Sequence, residues 1–145
     1  MLGAEPTPDD RWVLQDAVVL ATARLSGTRQ RPAGLPDLIA NADAVLHLIP
    51  SAADIEGALG RLLGAGLISI TDEGIVVEQH GRELVARARG DGDDPMTRVR
   101  SLLALLEHVS TEPVAWQLDR QVYEAVTLEY RHSLWETYRA RRPRR

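Results

Sequence analysis

Apolar residues Val13, Leu14, Ala17, Val18, Ala21 and Leu25 recur at helical spacing between Asp9-Asp10, which suit a cap, and Ser26-Gly27, which suit a stop. The pattern predicts a first helix from Arg11 to about Leu25, with Trp12 as a core anchor. A polar, basic loop from Thr28 to Gly34 follows. A second helix begins near Pro36, carries Leu38, Ile39, Ala42, Val45 and Leu46, and must finish before Pro50. Ser51 precedes Asp54 by three residues and opens a third helix, in which Ile55, Leu59, Leu62 and Leu63 share one face. Gly64-Ala65-Gly66 ends it. Leu67–Thr71 and Ile75–Glu78 read as two strands around the turn Asp72-Glu73-Gly74, and Gln79-His80-Gly81 leads into a helix with Leu84, Val85 and Ala88.

The acidic, glycine-bearing stretch from Gly90 to Pro95 is the best domain boundary. Beyond it, Thr97 to about Val109 reads as a helix with Val99, Leu102, Leu103, Leu105 and Leu106 apolar, and Ser110-Thr111-Glu112-Pro113 breaks it. Val114–Leu118 reads as extended. Asp119 suits the cap of a last helix to about Arg139, with Val122, Tyr123, Val126, Tyr130, Leu134 and Tyr138 as its stripe. The expected fold class is mainly α with a small β-hairpin, an α+β arrangement. It divides into a disordered start (1–8), a first domain (9–90), a linker (91–95), a C-terminal helical segment for packing or dimerisation (96–139) and a basic tail (140–145).

Composition narrows the chemistry. There is no Cys and no Phe, so disulfides are excluded and Leu, Val, Ile and Ala must form the core. All 17 basic residues are Arg, which with the Ala, Gly and Leu richness points to a GC-rich bacterial gene. The N-terminus carries neither the basic nor the apolar region of a signal peptide, and no apolar run nears the ~18 residues of a membrane span. A cytoplasmic location without membrane contact is expected. Residues 1–94 hold 8 Arg against 15 acidic residues, net −7, whereas 95–145 hold 9 against 6, net +3.

The run I-E-G-A-L-G-R-L-L-G-A-G-L-I-S-I-T-D-E-G-I-V-V-E-Q-H-G-R-E-L, from Ile55 to Leu84, resembles the recognition-helix-plus-wing segment of bacterial winged helix-turn-helix regulators. The resemblance spans residues 10–90 or so. It implies a winged-helix domain at 9–90 and, at family level, a homodimeric DNA-binding transcriptional regulator.

The residues of the third helix read differently. Opposite its core face lie Ala53, Gly57, Gly60 and Gly64, none of which can hydrogen-bond a base edge. Three interior glycines cost about 1 kcal/mol each relative to Ala. A bare face suits close approach of another helix, from the C-terminal segment or from a second subunit; a merely solvated face and a DNA-reading face are the alternatives. Candidate phosphate contacts are Arg29 and Arg31 in the loop and Arg61 on the helix flank, while the wing tip, Asp72-Glu73, is acidic. The alternative to a regulator is therefore a winged helix used as a protein-interaction or dimerisation module without DNA binding.

Signatures of catalysis are missing: no G-x-S-x-G, Walker loop, G-x-G-x-x-G or H-E-x-x-H occurs. No catalytic residue, cofactor or metal ligand is assigned. His47 and His80 read as local hydrogen-bonders. Glu129 and His132, three apart on one helix, suit an intrahelical polar contact better than half of a metal pair. The aromatics gathered at Trp116, Tyr123, Tyr130, Trp135 and Tyr138 read as core or interface.

Overall fold

The computed structural model describes residues 10–88 and 94–141. The expected disordered start, the basic tail after Arg141 and most of the linker therefore lie outside the described residues. The described part is mainly helical with one two-stranded antiparallel sheet. Its order is α1 (Leu14–Ser26), α2 (Leu35–Leu46), α3 (Ala52–Gly64), β1 (Ile68–Thr71), β2 (Gly74–Val77), α4 (Gln79–Arg87), α5 (Pro95–Leu106) and α6 (Arg120–Arg141).

Local chemistry sets the boundaries. Helix α1 starts at Leu14 rather than Arg11, because the cap is supplied from inside: Asp16 reaches back to accept Val13 N–H at 2.8 Å. Trp12 thus precedes the helix, where its indole donates to the Val109 carbonyl at 2.9 Å. Asp37 does the same for α2 by accepting Gly34 N–H at 2.9 Å, and His47 ends that helix in the left-handed region at φ 58°. The expected reciprocal cap of α3 is present, with Ser51 Oγ accepting Asp54 N–H at 3.1 Å and Asp54 accepting Ser51 N–H at 3.3 Å. Asp94 caps α5, which stops at Leu106, three residues before the expected end, and Asp119 accepts the Gln121 and Val122 amides at the start of α6.

The hairpin pairs Ile68 with Val77 through Thr71 with Gly74, and Ala33 bridges to Ile75 on the other side of β2. Gly74, at φ +143°, accommodates that approach: a Cβ there would overlap the Ala33 carbonyl. Helix α1 is the central rod. Its residues from Asp16 to Ala23 are all buried, and it touches α2, α3, α4, α5 and β2. Leu20, Ile39, Ile55, Leu62, Leu67, Leu102 and Leu106 fill one core, so α5, the start of the expected C-terminal segment, packs on the first domain.

Candidate interaction site on the third helix

The bare side of α3 is covered by the chain itself. After α5, residues 111–118 run across the helix as an irregular strap. Val114 N–H donates to the Gly60 carbonyl at 2.9 Å, and the Thr111 hydroxyl donates to the Arg61 carbonyl at 2.6 Å. Glu112 lies over Gly64. A Cβ on Gly60 would overlap the Val114 carbonyl, and one on Gly64 the Glu112 carbonyl. These glycines let backbone lie on backbone. Of the two expected occupants it is the C-terminal segment that covers the face, in irregular rather than helical form.

Glu56 fastens the far end of the strap. One carboxylate oxygen accepts Leu118 N–H at 2.8 Å and the other accepts from Arg120 Nη2 at 2.7 Å. Trp116 and Leu118 pack half-buried against the core. The four expected face residues thus divide. Gly60 and Gly64 lie under the strap, Gly57 lies against the Arg61 guanidinium, and Ala53 stays exposed.

Arg61 is not where a phosphate contact needs it. Its side chain is 11% exposed and grips the wholly buried Asp16 of α1, Nε to Oδ2 at 2.9 Å and Nη2 to Oδ1 at 2.8 Å. This is a bidentate buried pair, so the expected DNA contact at Arg61 is replaced by a bond between α1 and α3. Arg29 and Arg31 remain exposed in the loop after α1, with Arg29 Nη2 3.5 Å from Glu78. At the hairpin tip Asp72 and Glu73 are exposed.

Helix α6 leaves the body part-way along its length. Its first half packs on α2: Tyr123 donates to the Pro50 carbonyl at 2.6 Å and Tyr130 donates to Asp43 Oδ2 at 2.7 Å. Burial, then the hydrogen bond to Asp43 and its negative charge, push the Tyr130 phenol up to about 12. From Arg131 to Ala140 every residue is exposed, including Leu134, Trp135 and Tyr138. Trp135 and Tyr138 stack with centroids 5.7 Å apart, and the Arg139 guanidinium lies 5.1 Å over the Trp135 ring. His132 pairs with Glu136 at 3.1 Å, one turn on, rather than with Glu129.

Sequence reasoning located the glycine face but missed Asp16, Glu56 and Thr111, the side chains that make the site. Their types carry no motif; only their long-range partners give them meaning. Among the described residues no group of three His, Asp or Glu is placed to hold a metal ion, and no helix is long and apolar enough to cross a membrane. Comparison with family models, curated proteins and solved structures finds no match to the chain.

Proposed function

We propose that the chain is a winged-helix-type module that works by protein association, foremost with a second copy of itself, and does not read DNA through α3. The covering of α3 by residues 111–118 carries this reading. A helix entering a major groove must offer its outer face to base edges. Here the C-terminal half of that face lies under the strap, the Gly60 carbonyl accepting from Val114 N–H and the Arg61 carbonyl from the Thr111 hydroxyl. Its only arginine, Arg61, is spent on Asp16.

The contact element is the outer half of α6. The stripe Tyr123, Val126, Tyr130, which packs on α2, continues into Leu134 and Tyr138 at the same spacing, without cover from the described residues. Symmetric dimers join identical patches, and an amphipathic overhang of this kind pairs readily with its own copy.

The test is sedimentation of the full chain across a concentration series, paired with a duplex DNA titration at low salt. A dimer that W135E/Y138E converts to monomer, with no DNA binding, is the expected result. A monomer at all concentrations, or salt-sensitive duplex binding lost in R29Q/R31Q, overturns the reading. The latter outcome would favour the regulator, whose remaining support is the exposed pair Arg29 and Arg31.

A further inference from the structure

A second feature takes no lining residue from α3 or α6. The end of α1, the loop after it and the outer edge of β2 enclose a cleft of about 280 Å³. Its lining includes Arg24, Arg29 and Arg82, together with Thr28 and Gln30, and no acidic residue. The floor is apolar, formed by Ala23, Ile75, Val76 and Val77. Three arginines on one small cleft would each attract a dianion seated there.

The arginines come from three different elements: Arg24 from α1, Arg29 from the loop and Arg82 from α4. Arg82 is fixed in place, its Nη1 donating to the Val77 carbonyl at 2.9 Å, which leaves the rest of its planar fork for another acceptor. The loop is also held, since Thr28 N–H donates to the Arg31 carbonyl at 2.9 Å and Arg31 N–H donates back to Thr28 Oγ1 at 3.0 Å. Glu78, outside the lining, lies 3.5 Å from Arg29 and accepts from the Ser69 hydroxyl at 2.8 Å. The local balance stays positive.

The strand edge adds a donor. Successive amides of an antiparallel strand alternate between its two edges. Ile75 N–H donates outward to Ala33 at 2.8 Å, and Glu78 N–H donates inward to Leu67 at 2.9 Å. Val77 N–H therefore faces the outer edge, on the cleft side.

We infer that this cleft binds a small organic phosphate monoester. The dianionic head is held by Arg24, Arg29 and Arg82 and the edge amide of Val77, and an apolar body lies on Ile75 and Val76. Guanidinium forks match the phosphate oxygens in pairs, and the volume suits a ligand near the lower limit of small-molecule pockets.

The test is a ¹H–¹⁵N NMR titration of the full chain with phenyl phosphate, inorganic phosphate and benzoate in turn, at fixed ionic strength. Saturable shifts confined to residues 23–30 and 75–82 are expected, with phenyl phosphate binding at least tenfold tighter than the other two. R24Q/R29Q should weaken phenyl phosphate at least tenfold while leaving distant amide shifts unchanged, and R82Q should do the same through a third element. Shifts that never saturate, that spread over every arginine, or that persist in both variants overturn the proposal. So does a short duplex DNA that binds through these arginines while phenyl phosphate does not, which would make the cleft a clamp for nucleic-acid backbone.

Discussion

At the scale of single residues, three glycines of one helix carry different demands. A methyl on Gly57 meets only the Arg61 guanidinium, at 3.3 Å, whereas a methyl on Gly60 overlaps a backbone carbonyl that cannot rotate away. G57A should therefore stay within about 0.5 kcal/mol of the parent, helix propensity offsetting slight crowding. G60A should cost about 2 kcal/mol, in the range of overpacking. Urea unfolding of the pair checks this, and equal losses would show that the strap yields freely. The Asp16–Arg61 bond gives a sharper test. R61M takes the bidentate guanidinium from the buried Asp16 carboxylate and should cost roughly 3–5 kcal/mol, much of which D16N/R61M should restore. A double variant no more stable than R61M would show that the pair is not the reason. The spacing of α3 placed Arg61 beside its bare face, but no local signal reports that a carboxylate 45 residues upstream faces it.

At the scale of elements, the third helix, which begins with a short polar side chain and ends in glycine, was legible almost to the residue. Ser51 and Asp54 open α3 as their spacing requires, and Gly66 closes it at φ +71°. Helix α1 was legible at its end but not at its start or in its role: the apolar stripe read from the sequence includes the exposed Val13 and Leu25, whereas every residue from Asp16 to Ala23 is buried. The strap was legible as a break followed by extended chain, but its path was not, because its order comes from α3 and not from its own residues. Helix α6 offers a pH test. The Tyr130 phenol titrates at about 12 instead of its ordinary 10.0, so the folded state holds that proton more tightly than the unfolded one. The stabilisation is complete below about pH 10 and is lost as pH rises through about 12. Phenolate absorbance should show a late-titrating tyrosine that Y130F abolishes. Y130F should also flatten the fall in stability over that window; an unchanged profile would remove Tyr130 from the α2–α6 seam.

At the scale of the whole molecule, the two ends of α6 belong to different regimes. Its inner half is held by α2 through Tyr123 and Tyr130, while Arg131 to Ala140 is exposed throughout. A free helical segment shorter than ~12–15 residues is marginal in water. The Trp135–Tyr138 stack and the Arg139 contact add about 0.5–1 kcal/mol each at exposed sites. That is too little to hold two or three turns against the loss of backbone entropy, roughly 1–2 kcal/mol per residue. On the proposed self-association the overhang gains its full helicity from the partner's cover, and by mass action its order becomes concentration-dependent. Ellipticity at 222 nm per residue should fall on dilution through the dissociation range, by the share that the overhang contributes. L134E/W135E should show the lower value at every concentration, with the melting of the α1–α5 body unchanged. If sedimentation finds a monomer whose ellipticity does not vary with dilution and matches that of L134E/W135E, the overhang stands on its own and self-association is not what α6 is for.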